Sequence, residues 1–164
     1  MDEALLLKES GDAIYIRALG HITANSCAGL KARVFERLER PPAPDNVFVD
    51  LSLCEYMDST FMGLLVGFNK RLLRAAEKPI TVLRANETCL KLLKTIGIAR
   101  MVVMSDEAPL FPEGMETVGG KADTELLLGA HDDLIELSEE NERRFSALRS
   151  ILASEAGKPK GDEA

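Results

Sequence analysis

The strongest constraint on the fold is the apolar run at residues 47–51, which contains one acidic residue, Asp50. Apolar side chains at successive positions are typical of a strand that is covered on both faces of its sheet. Shortly after it, apolar residues recur at the helical period of 3.6. They are Phe61, Leu64, Leu65, Phe68, Leu72 and Leu73. The apolar run and the helical repeat together predict a central strand followed by a helix.

The flanking segments extend the same pattern in both directions. Residues 4–8 and 13–19 surround the turn-forming Ser10-Gly11-Asp12 and predict an opening β-hairpin. Further strands are predicted at 80–83 and 101–104, with helices before the central strand and between these two. Because a parallel crossover needs about a dozen residues and is usually helical, the later strands should pair in parallel. The predicted fold class is α/β: a single small domain with a mixed sheet.

The C-terminal third of the sequence predicts a helical extension. We place the domain at 1–105, a loop rich in proline and glycine at 106–122, a helical extension at 123–156 and a disordered tail at 157–164. The pattern leaves open whether the extension is one helix or two that meet near Ser138. Its apolar stripe must be buried on the domain or against a second copy of the chain, which makes a homodimer through this extension a candidate.

Composition excludes several classes of function. A formal charge of −7 and a pI near 5.0 disfavour a nucleic-acid partner. The three cysteines form no CxxC pair, so we expect neither disulfides nor a zinc site, and a reducing cytoplasm fits best. The apolar runs are shorter than the roughly 20 residues that span a bilayer, so we expect no membrane insertion. No cofactor or metal is indicated.

The candidate functional residues lie where the central strand gives way to its helix. Asp58 is placed to cap the helix, and Ser59 would expose its hydroxyl at the first turn. Unpaired backbone N–H groups and the helix dipole tolerate negative charge there. Gly63 and Gly67 are four residues apart and would allow a close approach by a neighbouring element. Alone, Asp58-Ser59 is also the pattern of an ordinary helix cap.

Three other arrangements compete and are weaker. Ser59, Asp58 and His21 could form a catalytic triad, but no nucleophile-elbow glycines flank the serine, so we expect no enzyme. His131 precedes two aspartates without spaced metal-binding partners, and a solvated helix face is the preferred interpretation. Asp50 could act as a phospho-accepting aspartate, although no acidic pair closes the first strand.

The motif around Ser59 resembles that of a known family. Val49-Asp50-Leu51-Ser52, then Tyr56-Met57-Asp58-Ser59-Thr60, then Gly63-Leu64-Leu65 are similar to the strand, loop and helix of STAS domains, in particular of anti-sigma-factor antagonists. The resemblance covers roughly residues 1–105. The chain departs from the commonest pattern in having Phe61-Met62 before Gly63 and a non-acidic loop at 23–25.

The resemblance implies a phosphorylation switch. In that family a partner that is both serine kinase and anti-sigma factor phosphorylates the serine, and a phosphoserine phosphatase reverses the reaction. The matching residue is Ser59, with Thr60 as the less favoured acceptor. The implied partner surface consists of Asp58, Ser59, Thr60, Phe61, Met62, Thr23 and Asn25. The alternative is a non-phosphorylated STAS scaffold in a stress-signalling complex or a lipid-transport system.

Overall fold

A computed structural model describes residues 2–157 of the chain. The elements follow in the order β1 (Ala4–Ser10), β2 (Ala13–Ile22), a short 3₁₀ turn (Ala24–Ser26), α1 (Cys27–Glu39), β3 (Asn46–Met57), α2 (Ser59–Ala76), β4 (Thr81–Leu83), α3 (Glu87–Ile96), β5 (Val103–Ser105), β6 (Glu116–Val118), α4 (Thr124–Ile135) and α5 (Glu139–Ala156).

The strands form one mixed sheet in the order β5-β4-β3-β2-β1-β6. The β1–β2 hairpin is antiparallel, and β2, β3, β4 and β5 pair in parallel. Gly11 adopts a positive φ of 60° in the hairpin turn, a conformation that glycine reaches without strain. The predicted hairpin, the parallel crossovers and the interior position of the central strand are confirmed.

This connectivity gives three layers: the sheet, helices α1 to α3, and helices α4 and α5. Because β2 to β5 are added one after another in the same direction, right-handed crossovers place α1, α2 and α3 on one face of the sheet. On α2, every residue from Thr60 to Asn69 is buried. A helix that is buried all round needs cover on its outer side as well. Helix α4 provides that cover by packing on α2, and α5 packs on α4.

The structure corrects several predicted boundaries. The central strand β3 continues to Met57, so Asp58 alone separates it from α2. A short strand, β6, lies within the predicted loop and pairs antiparallel with β1. It has three residues, of which only Val118 is buried, and so leaves no clear sequence pattern. Of the two alternatives for the extension, two helices are present, and Ser138 caps the second. The predicted tail lies, beyond residue 157, outside the described residues.

Candidate functional site: the start of helix α2

Asp58 joins the start of α2 to the loop that follows β2. One carboxylate oxygen, Oδ1, accepts the backbone N–H of Phe61 at 2.9 Å and so caps α2. The other, Oδ2, accepts the backbone N–H of Ala24 at 2.9 Å. The backbone N–H of Asp58 donates to the carbonyl of Ile22 at 3.0 Å. The predicted cap is present, and the same side chain also fixes the neighbouring loop.

A second carboxylate holds the other side of that loop. The hydroxyl of Thr23 donates to Glu3 at 2.9 Å, and the hydroxyl of Ser26 also donates to Glu3. Burial raises the pKa of Glu3, but the hydrogen bonds from Ser26 and Thr23 outweigh that effect and the net pKa is lowered. Thr23 is therefore engaged within the chain, whereas Asn25 remains exposed.

Ser59 is hydrogen-bonded to a histidine of the C-terminal extension. Its Oγ lies 2.7 Å from Nε2 of His131, and Nδ1 of the same ring lies 2.7 Å from the carbonyl oxygen of Leu127. A carbonyl can only accept, so Nδ1 carries the hydrogen of the neutral ring and Nε2 is the acceptor. The Ser59 hydroxyl therefore donates to His131.

The contact between Ser59 and His131 lies at one end of the interface along which α2 and α4 pack closely, which we call the α2–α4 seam. A Cβ atom placed on Gly63 would lie 2.3 Å from the carbonyl oxygen of Ala130, so the two backbones touch there. One turn on, a Cβ on Gly67 would lie 3.0 Å from a carboxylate oxygen of Asp133. The glycine pair thus serves helix–helix packing.

The far end of the seam is charged. Nζ of Lys70 lies 2.9 Å from Oδ1 of Asp133 and 2.8 Å from Oε2 of Glu136. The hydrogen bond to Glu136 and then that to Asp133 raise the pKa of Lys70. The α2–α4 seam therefore has a polar contact at each end: Ser59 with His131 at one end and Lys70 with Asp133 at the other.

These contacts correct what the sequence predicted for two residues. His131 is 2% exposed and its ring packs against Phe145, so it does not lie on a solvated helix face. Ser59 is half-buried and bonded, so its hydroxyl is not fully presented to solvent. Thr60, Phe61 and Met62 are also buried, and the last two belong to the hydrophobic core. In this conformation these three residues cannot contact a partner.

The competing arrangements are not assembled around Ser59. His21 pairs with Glu55 at 3.2 Å and lies against the ring of Tyr56 instead. Asp50 is buried, and its Oδ2 accepts from Nε of Arg17 at 3.1 Å, while its Oδ1 accepts from the backbone N–H of Ser52 at 2.9 Å. Two surface depressions of about 380 and 250 Å³ lie between α3 and α5 and between α1 and α4, and neither is lined by Ser59 or His131.

Residues 2–157 contain no group of three histidine, cysteine or acidic side chains that could hold a metal ion. Over the same residues, no helix has the length and apolar character needed to cross a membrane. The three cysteines are free and buried. Burial, followed by the nearby negative charges of Asp58 and Glu3, raises the pKa of the Cys27 thiol well above its usual value.

A family model described as the Mlab, STAS domain matches residues 5–104, which is more than half of the chain. The chain belongs to the STAS domain family. The match spans the sheet through β5 and ends before β6, α4 and α5. The STAS domain therefore carries Asp58 and Ser59, while His131 lies in a part of the chain that the family model does not cover.

Solved structures share the fold of this STAS domain. The unphosphorylated anti-sigma factor antagonist SpoIIAA matches with a TM-score of 0.53 and 19% identity over 63% of this chain and 90% of that chain. A putative anti-sigma factor antagonist from Thermotoga maritima gives 0.53 and 20% identity over 62% and 85%. The phosphorylated form of SpoIIAA from Bacillus gives 0.53 and 18% over 63% and 93%. No curated protein sequence matches significantly.

Proposed function

We propose that this STAS domain is an anti-sigma-factor antagonist that is switched by phosphorylation of Ser59. In its unphosphorylated form it binds a serine-kinase anti-sigma factor, and phosphorylation releases it. The supporting observation is the position of Ser59 in the family fold: it is the first residue of α2, directly after the capping Asp58. Solved antagonists with the same fold include one protein in both phosphorylated and unphosphorylated forms.

Burial supports Ser59 over Thr60 as the acceptor. Ser59 is half-buried, whereas Thr60 is 2% exposed and lies beneath the surface of α2. The Thr60 hydroxyl is therefore the harder of the two for a kinase to reach. The proposed partner surface is correspondingly reduced to Ser59, the accessible part of Asp58, and Thr23 and Asn25 in the loop that Asp58 holds.

Electrostatics explain how phosphate would release a partner. A phosphoserine adds about −1.5 to −2 charges next to the carboxylate of Asp58. An interface built for a neutral hydroxyl then meets repulsion and an added desolvation cost. If these amount to about 3 kcal/mol, the affinity falls by roughly two orders of magnitude. No rearrangement of the sheet is required.

The experiment that tests this function combines the full chain with a candidate kinase of the anti-sigma type and ATP. Mass spectrometry should locate one phosphate on Ser59 and none on Ser59→Ala. Ser59→Asp should bind the kinase about two orders of magnitude more weakly than wild type, while Ser52→Asp, at an exposed serine of β3, should bind normally. Phosphate on another residue, together with normal binding by Ser59→Asp, would refute the proposal.

A second candidate is a STAS scaffold that is not phosphorylated. The covered hydroxyl of Ser59 favours it, because this serine is already bonded to His131 in the resting chain. The family model that matches the chain is also described as that of Mlab rather than of an antagonist. Under this function Ser59→Asp would bind the native partner like wild type and the partner would be an assembly subunit, in a stress-signalling complex or in lipid transport.

Self-association is proposed for α5 rather than α4. Helix α4 is already buried on α2, whereas Leu148 and Ile151 on α5 are 40% and 59% exposed. An exposed apolar pair one helical turn apart suits a helix-to-helix contact with a second copy. Light scattering should give a dimer for wild type and a monomer for Ile151→Lys; a wild-type monomer throughout the micromolar range contradicts this part of the proposal.

A further inference from the structure

The α4–α5 hairpin occupies the place from which Ser59 would be approached. Helix α4 contacts α2 along one face, from Ser59 through Gly63 to Lys70. His131, the residue that bonds Ser59, is 2% exposed. Nothing can be inserted between Ser59 Oγ and Nε2 of His131 while they are 2.7 Å apart. The hydroxyl therefore becomes available only when its contact with His131 is broken, and α4 occupies the space on that side of Ser59.

We infer that the C-terminal hairpin is an intramolecular cover of the switch, and that phosphate on Ser59 and docking of α4 on α2 exclude each other. This inference rests on the proposed phosphorylation of Ser59 and adds its regulation. The kinase acts only on chains in which the hairpin has opened. The phosphate, once attached, keeps the hairpin open.

The chemistry of the transfer removes the bond that holds the hairpin. An O–P bond forms between Ser59 Oγ and the γ-phosphorus of ATP, the bond from that phosphorus to the departing ADP breaks, and the hydroxyl hydrogen is lost to solvent. The ester oxygen that remains has no hydrogen to donate. Nε2 of His131, which accepts that hydrogen when the ring is neutral, then loses its donor. The hydrogen bond from the Ser59 hydroxyl to His131 is lost.

The charges of α4 oppose a phosphate at this place. Helix α4 and its cap contain Asp123, Glu125, Asp132 and Asp133 and neither lysine nor arginine. Two cations that reach α4 from other helices are already paired: Lys70 of α2 with Asp133 and Glu136, and Arg149 of α5 with Asp132 at 2.8 Å. Lys31 of α1 also approaches α4, near Gly129, and its ammonium group lies over the ring of Phe35. A phosphate between α2 and α4 would meet a helix whose own charged side chains are all acidic.

Once released from α2, α4 still packs on α5 but loses the contacts that bury its other face. It has 12 residues, and helices of about 12–15 residues depend on such packing because they are marginal in water alone. Its buried apolar residues, Leu126, Ala130 and Leu134, lose their cover on α2. Opening should therefore appear as faster amide exchange throughout α4. The domain core, built on the sheet and α1 to α3, should stay protected.

The test uses the full chain and no kinase. Phosphoserine is introduced at position 59 during translation, with phosphoserine at the exposed position 52 as the matched control, and amide hydrogen exchange is followed by mass spectrometry. We expect residues 124–135 to exchange at least about tenfold faster with phosphoserine at 59 than at 52, with β2 and β3 unchanged. Unchanged or increased protection of α4, as when a protonated His131 holds the phosphate, overturns the inference. So does equal loss of protection in the sheet.

A second variant opens the seam without any added charge. Gly63→Ala places a methyl group 2.3 Å from the backbone oxygen of Ala130, which cannot yield unless α4 moves. Gly67→Ala is its control, because the new methyl group would meet the ends of the Asp133 and Phe35 side chains. We expect α4 to exchange about tenfold to a hundredfold faster in Gly63→Ala and much less so in Gly67→Ala. Equal protection in the two variants contradicts a close α2–α4 seam.

The two proposals can fail separately. If phosphoserine at 59 releases α4 but no kinase modifies Ser59, the cover is real and the antagonist function is wrong. If a kinase modifies Ser59 and α4 stays protected, the function holds and the cover is wrong.

Discussion

The contact between Ser59 and His131 can be measured by a double-mutant cycle. Ser59→Ala leaves Nε2 of a buried imidazole without its donor, which should lower the free energy of unfolding by about 1–3 kcal/mol. His131→Leu removes the acceptor, but Ser59 is half-buried and its hydroxyl can turn to water, so the loss from this contact is smaller. The double variant should then be about 1 kcal/mol more stable than the sum of the two single losses predicts.

Urea denaturation followed by circular dichroism gives the four free energies of the cycle. The control cycle combines His131→Leu with Ser52→Ala, whose hydroxyl lies on an exposed strand position. Distant sites add to within about 0.3–0.5 kcal/mol, so the control should show no coupling beyond that range. If the Ser59–His131 cycle is as additive as the control, the hydrogen bond between these residues does not help to hold α4 on α2.

Three further predictions concern the surroundings of the site. Asp58→Ala removes a cap and unpairs a loop N–H group, so the free energy of unfolding should fall by about 2–4 kcal/mol in urea titrations; Asp58→Asn can keep one bond and should lose about half as much. The pKa of Glu3 is lower in the folded chain than in the unfolded chain. Its ionised carboxylate therefore contributes fully to the free energy of unfolding above the unfolded-state pKa, and this contribution is lost as the pH falls through the folded-state pKa. Glu3→Gln should therefore flatten the stability profile between about pH 6 and pH 3, and an unchanged profile would contradict this. The buried thiols of Cys27, Cys54 and Cys89 should react with an aromatic disulfide only after denaturation, and rapid labelling of the native chain would disagree with their burial.

The domain could be predicted from the sequence because its signals are local. The apolar run at 47–51 and the cap at Asp58 each act within a few residues, and the structure has the start of α2 where the sequence predicts it. Crossover length and handedness then leave few topologies. The position of Ser59 at the start of α2 follows from the same local rules.

The cover over Ser59 could not be predicted from those rules because it joins residues 72 positions apart. Two signals pointed toward it. Residues 61–68 contain no charged or hydrogen-bonding side chain, so α2 has no polar face to present to water. His131 lies four residues after Leu127 and next to Ala130, within the apolar stripe of the extension. Neither signal says which helix the stripe covers, so the sequence alone does not predict that His131 is buried against Ser59.

The rate at which a kinase modifies Ser59 depends both on Ser59 being the switch and on α4 covering it. Initial rates for wild type, Gly63→Ala and Gly67→Ala would be read from the phosphopeptide that contains residue 59. We expect a rate about tenfold or more above wild type for Gly63→Ala and a rate close to wild type for Gly67→Ala. Equal rates for all three chains, or phosphate at another residue, would contradict it.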